Sequence, residues 1–213
     1  MSDAAAVITD IHANLPALVA SLARIEELGI ERIYCGGDLV GYGPHPNEVC
    51  RLIEERGIPT IYGNYDYAIA RDLDDCGCAY VDQHDRELGQ KSVEWTLAHT
   101  DQRSKDFMRE LPFDLRFDIG ENSVHLVHGG VLFVNCGSVG KPKDGDPRAA
   151  FAIVRPGDRH PEVTIERVRY HAETVAARLP PLGYPRSTPR SLSPPRKKRR
   201  PSHEQRRLLC RKG

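Results

Sequence analysis

The chain has 213 residues, 39% of them hydrophobic and 28% charged, and its thirty basic and thirty acidic side chains give a formal net charge of zero. That length suits one domain with a sizeable core, or a domain plus a tail. No apolar run is long enough to cross a bilayer, and no basic segment followed by an apolar core opens the chain, so neither a membrane span nor a secretory leader is expected. The zero charge is a sum of opposites. Residues 180–213 hold eight Arg and three Lys against Glu204, a charge of +10, which leaves −10 on the rest.

Residues 4–9 (AAAVIT) read as a buried strand. Asn14 can cap the helix that follows, with Pro16 in its first turn and Leu15, Leu18, Val19, Leu22, Ile25 and Leu28 at helical spacing until Gly29. Residues 31–35 form the next strand, 47–56 a second helix stopped by Gly57, and 58–62 a third strand. Strand, helix and strand alternating with short links predict a parallel sheet of βαβ units. Residues 85–98 around Trp95, and 101–111 after a Thr100 cap, read as helices. From Phe113 the period changes to two: Leu115, Phe117 and Ile119, then Val124 and Leu126, then Val131 and Phe133, then 150–154 and 163–168. Residues 171–179 read as a last helix.

Beyond Leu179 the periodicity collapses into Pro, Ser and Arg, a composition that buries too little to offset its chain entropy and so predicts disorder. The run Arg196-Lys197-Lys198-Arg199-Arg200 has the chemistry to contact nucleic acid, although a plain solvated charge run is the favoured reading. Six cysteines at irregular spacings favour reduced thiols in a cytosol over a disulfide framework. Cys76-Gly77-Cys78 could hold a soft metal, but no second Cys pair stands at zinc-site spacing, and loop thiols are the favoured reading.

Three loops follow the three early strands, and each carries metal-ligand types: Asp10 and His12, then Asp38 behind Gly36-Gly37, then Asn64 in Gly63-Asn64-Tyr65-Asp66. In a parallel sheet such loops gather at one edge. Asp10 and His12, two apart on an extended segment, would project together; Asp38 would bridge two ions; Asn64 offers a neutral oxygen and His128 an imidazole. Mixed imidazole and carboxylate ligands suit Mn, Fe, Zn or Co rather than Ca. Two such ions form the clamp used for in-line phosphoryl displacement. Taken singly, each of these residues is more often a helix cap, a turn former or a structural histidine.

VITDIHANLPAL, CGGDLVGYGPHPNEV, GNYD, LVHG and NCGSVGKPKDGDPRAAFAIV together resemble the calcineurin-like metallophosphoesterase superfamily, and most of all its small bacterial phosphodiesterase branch of the YfcE type. The resemblance covers residues 4–179. It implies an α/β fold, a four-layer α/β/β/α sandwich around a dinuclear metal centre whose bound hydroxide attacks a phosphate-ester or nucleotide-like substrate. Asp10 and His12 would serve the first metal, Asp38 both, and Asn64 and His128 the second, with Asn64 and Tyr65 around the phosphate. Asn14 and Gly37 would support the loops. A cytoplasmic enzyme is expected from the reduced thiols and the missing leader.

Two departures accompany it. Tyr65 stands where the family has a histidine in G-N-H-D, and a phenol with its ordinary pKa near 10 is not poised to move protons at neutral pH. The G-H-x-H motif, which would give each metal one more imidazole, is absent; Gly129 runs straight into Gly130 and Val131. Locally that junction reads as a glycine hairpin. Set beside the family it implies a deletion at 129/130 and a sandwich lacking one helix and one core strand. The expected organisation is therefore a domain over 1–179 and a basic tail over 180–213. An impaired remnant serving as a binding module is the alternative to an active hydrolase.

Overall fold

The structure is a computed structural model that describes residues 4–78, 82–128, 138–141, 145–157, 161–176 and 178. The junction at 129/130, the strand expected at Val131 and Phe133, and the tail from 180 onward lie outside the described residues.

Strand β1 (Ala5–Ile8) pairs in parallel with β2 (Arg32–Cys35), and α1 (Leu15–Glu27) makes the crossover. The Asn14 side chain accepts from the Ala17 N–H and caps α1, and Pro16 costs nothing in a first turn whose N–H groups have no helical partner. Helix α2 (Pro46–Glu55) follows. The third strand expected over 58–62 shrinks to one parallel bridge, Cys35 to Thr60. Its backbone donors are engaged elsewhere: Ile58 donates to Ile53 at the end of α2, Tyr62 donates to Pro112, and Pro59 has no N–H.

Residues that the sequence leaves as a loop instead open helix α3 (Asn64–Ala70), because the Asp66 carboxylate accepts from the Gly63 N–H and fixes a first turn. Helices α4 (Gln83–His99) and α5 (Gln102–Arg109) follow. Asp101 rather than Thr100 caps α5, its carboxylate accepting from the Ser104 N–H. Strands β3 (Asp114–Ile119) and β4 (Asn122–Val127) form an antiparallel hairpin. Strand β5 (Ala149–Arg155) lies antiparallel against the free side of β1, and β6 (Glu162–Val168) against β5. The main sheet is thus mixed, in the order β2-β1-β5-β6, parallel in its early half as the sequence implies. The last helix, α6, spans only Ala172–Ala176.

Both faces of the main sheet are buried, which is why β1 and β5 read as unbroken apolar runs. Ala6 and Ile8 of β1 and Phe151 and Ile153 of β5 join one core with α1, α2 and α3. Ala5, Val7, Ala152 and Val154 face the other way and pack on Phe117, Ile119 and Leu126 of the hairpin. The Tyr34 and Phe117 rings stack at 3.8 Å across that interface. The hairpin's outer side carries exposed Arg116, Asp118, Ser123 and His125. Among the described residues the layers therefore run helices, mixed sheet, hairpin, three of the four expected.

Candidate metal centre

Backbone contacts bring the loops after β1, β2 and the Thr60 bridge together at one sheet edge. Asp10, His12 and Ala13 donate in turn to the carbonyls of Gly37, Asp38 and Leu39 at 3.0, 2.9 and 2.7 Å, zipping the first loop onto the second. Gly37, at φ +87°, lies so close to the third that a Cβ there would sit 2.4 Å from the Gly63 nitrogen. A fourth segment closes the ring: Val139 and Gly140 donate to the carbonyls of Thr9 and Asp10. The Asn14 amide donates to the Gly140 carbonyl and the Tyr170 hydroxyl.

The five residues expected as ligands converge here. Asp10, His12 and Asp38 each offer a ligand atom, all within 4.8 Å of one another. His12 Nε2 stands 3.6 Å from Asp10 Oδ1 and 3.8 Å from Asp38 Oδ2. His128 Nε2 stands 3.4 Å from the same Asp38 oxygen and 3.3 Å from Asn64 Oδ1. The other Asp38 oxygen accepts from the Tyr65 N–H at 2.9 Å, so the carboxylate cannot swing away from the two imidazoles.

Each ring is aimed by its far nitrogen. His12 Nδ1 donates to the Val40 carbonyl and His128 Nδ1 to the Gly36 carbonyl, which turns both Nε2 atoms inward. The Asn64 nitrogen donates to the Cys76 carbonyl at 3.0 Å and to Cys78 Sγ at 3.2 Å, leaving its oxygen toward His128. The segment expected to be extended is not: Asp10, His12 and Asp38 have φ of 52°, 48° and 54°. Left-handed backbone at non-glycine residues costs roughly 1–2 kcal/mol each and persists where the surroundings impose it. Here the loop-to-loop hydrogen bonds do so.

Charge follows the geometry. Burial would raise the Asp10 carboxyl, but the hydrogen bond and charge of His12, with His128 beyond, hold it below the ordinary carboxylate range. Burial would lower His128, yet the Asp38 carboxylate outweighs that and brings it up to about 9. Asp66, given no role in the sequence reading, organises the site from behind. It is fully buried and accepts from the N–H groups of Leu39, Val40 and Gly63. Burial, and then the neighbouring Asp38 charge, raise it to about 6. Its place three residues after Gly63 at a helix start was the available signal.

Tyr65 lies in a different environment from its neighbours. It is 1% exposed, and its ring packs edge-on against His12 at 5.6 Å and tilted against Tyr42 at 4.9 Å. Among the described residues its hydroxyl is buried without a hydrogen-bond partner, and burial pushes its pKa far above the usual phenol range. No other described histidine joins the site. His99 stacks on Trp95, His125 pairs with Asp114 on the outer face of the hairpin, and His45 precedes α2.

The chain is similar to known proteins over most of its length. The calcineurin-like phosphoesterase superfamily domain matches residues 4–158. An uncharacterized protein of Methanocaldococcus jannaschii is 27% identical over 235 residues, covering 82% of this chain and 93% of that protein. That span exceeds the 213 residues of the chain itself, so the alignment opens gaps opposite part of the relative. A metallophosphoesterase from Sphaerobacter thermophilus superposes with a TM-score of 0.60 at 24% identity, covering 88% of this chain and 96% of that one. A hypothetical protein from Pyrococcus horikoshii superposes with a TM-score of 0.67 at 22% identity, covering 82% and 91%. At these identities the two structures show the fold.

Proposed function

The chain belongs to the calcineurin-like phosphoesterase superfamily, and from that premise we propose that it is a phosphodiesterase-like hydrolase of phosphate esters, dependent on two divalent transition ions. The observation that carries the reading is the shared carboxylate, Asp38 Oδ2, which faces His12 Nε2 at 3.8 Å and His128 Nε2 at 3.4 Å. Asp10, His12 and Asp38 make one donor set; Asp38, Asn64 and His128 make the other. Two inward imidazoles, two carboxylates and a neutral amide oxygen fit Mn, Fe, Zn, Co or Ni. Bound there, such ions supply Lewis acidity and an activated water for displacement at phosphorus.

The chain's own groups then have distinct tasks. Asp38 keeps the two donor sets in register, with one oxygen tied to the Tyr65 N–H and the other shared. Asn64 presents its oxygen beside His128 and forms the edge at which a phosphate would enter. Tyr65, from its buried place against His12, acts as a positioning residue for that imidazole. Hydrolysis of bis-p-nitrophenyl phosphate with added Mn²⁺ tests the proposal; turnover no greater than that of Asp38→Asn would overturn it.

A second reading, an impaired remnant that binds without turnover, is favoured by two observations. The sequence holds no G-H-x-H, and the alignment with the archaeal relative is longer than the chain. Both are accounted for by a deletion at 129/130 within a domain over 1–179. Elemental analysis separates the readings, since two tightly held ions per chain rule out the remnant. We assign the basic tail over 180–213 no part in hydrolysis; DNA retention that is salt-dependent and lost without the tail would give it a separate role. The buried thiols Cys35 and Cys50 fit a reducing cytoplasm.

A further inference from the structure

Beside the candidate centre lies a cleft of about 390 Å³ whose lining includes Tyr62, Tyr67, Leu73 and Phe113 together with Asn64 and His128. Large apolar side chains are rarely left open in a group unless something covers them. Among the described residues six are exposed, and three of them, Tyr67 at 41%, Leu73 at 42% and Phe113 at 59%, line this one cleft. The rings are mutually tilted rather than packed flat: Tyr62 meets Tyr67 at 5.5 Å and 45°, and Phe113 at 5.9 Å and 57°. The Arg71 guanidinium lies 4.0 Å over the Tyr67 ring and holds it from one side. The volume is that of a small-molecule site, and Tyr62, Tyr67 and Phe113 give its lining an aromatic share.

We infer that this cleft receives a planar aromatic ring of the ester, a nucleobase or an aryl group, while the phosphate lies at Asn64 and His128. The inference rests on the phosphoesterase reading of the adjacent centre and names the specificity-determining residues for it: Tyr67, Leu73 and Phe113. Aromatic walls reward a π-face through stacking, which hydrogen bonding to the ester oxygens alone cannot do. An aliphatic ester would fill the same volume without that gain. Continuity matters as much as composition, because Asn64 and His128 belong both to the cleft lining and to the second donor set.

The test is binding, read independently of turnover. With the full chain loaded with Mn²⁺, calorimetry should find adenosine 5′-monophosphate bound about tenfold more tightly than ribose 5-phosphate, the usual worth of one stacked base. Phe113→Ala and Tyr67→Ala should erase that ratio while leaving ribose 5-phosphate unchanged. Both side chains are substantially exposed, and circular dichroism confirms that the variants fold. Saturation-transfer NMR should show adenosine, which carries no phosphate, in contact through its adenine protons. Equal affinities for the two phosphates, a ratio unmoved in both variants, or no transfer to adenine would each overturn the cleft. Loss of Asp38-dependent hydrolysis with adenine contact intact would strike the phosphoesterase reading alone.

Discussion

The Asn64 side-chain nitrogen donates to Cys78 Sγ at 3.2 Å, so a thiol two residues beyond Cys76 decides which way a candidate ligand faces. With the nitrogen engaged there and at the Cys76 carbonyl, the Asn64 oxygen has one direction left, toward His128. Cys78→Ala should free half of that restraint. Outer partners of metal ligands are worth about 10- to 100-fold in affinity, and a thiol acceptor belongs at the low end. Manganese titration should show one of the two ions loosened about tenfold and the other unchanged. Equal loosening of both would show that Cys78 acts through the whole loop.

His128 makes stability depend on pH in a stated direction. Its folded pKa, about 9, lies above the ordinary 6.5 because of Asp38. Such a base contributes stability that is fully present below about 6.5 and is lost as pH rises through about 9. Chelator-treated protein should therefore melt progressively lower across that window. In Asp38→Asn the decline should flatten, because the carboxylate that raises the imidazole is gone. A melting temperature rising with pH across the window would contradict the assignment.

Gly63 is required for lack of space, since its own φ of −92° suits any residue. A Cβ there would come within 2.1 Å of Asp38 Oδ1 and 2.4 Å of the Asp38 nitrogen. Gly63→Ala should cost about 2–3 kcal/mol, as overpacked sites do, and should displace the shared carboxylate. Gly57 is the control, with φ +60° and nothing within 4 Å of an added Cβ. Alanine there should cost about 1 kcal/mol of backbone strain and leave metal content untouched. Denaturation midpoints and elemental analysis of the two variants decide it.

Asp66 ties two ligand loops together without facing an ion. Removing its carboxylate leaves three buried N–H groups, those of Leu39, Val40 and Gly63, without their acceptor. Each orphaned donor costs on the order of 1–3 kcal/mol. Asp66→Ala should therefore lower stability by several kcal/mol and broaden the amide signals of residues 37–40 and 63–65 together. Broadening of only one loop would show that the link between them lies elsewhere.

How much of this was legible in the sequence depended on the kind of restraint involved. Asp10, His12, Asp38, Asn64 and His128 could be named because each sits beside a strand end or turn signal that one-dimensional patterning marks. The helix over Asn64–Ala70 was missed because one buried carboxylate, rather than periodicity, starts it. The strand at 58–62 was overcalled because the hydrogen-bond partners that claim its ends are fifty residues away at Pro112 or inside α2. The left-handed backbone at Asp10 and His12 was invisible for the same reason, since no local residue asks for it. Tyr65 shows the limit from the other side. Position in a motif placed it around the phosphate with Asn64, and nothing in the pattern showed that its ring would also pack into the core.

The main sheet also sets an order of events in time. Strand β1 has β2 on one side and β5 on the other, with Ala5 opposite both Arg32 and Val154. During synthesis at about 5–20 residues per second, the first strand waits many seconds for its second neighbour. Over that interval its open edge is a template for the wrong partner. Asp10 and His12 leave the ribosome early, yet the loop that carries them is pinned by Ser138, Val139 and Gly140, which leave late. A nascent chain cut short before β5 should accordingly be an aggregation-prone fragment dependent on chaperones, with no half-strength ion site to mark its progress.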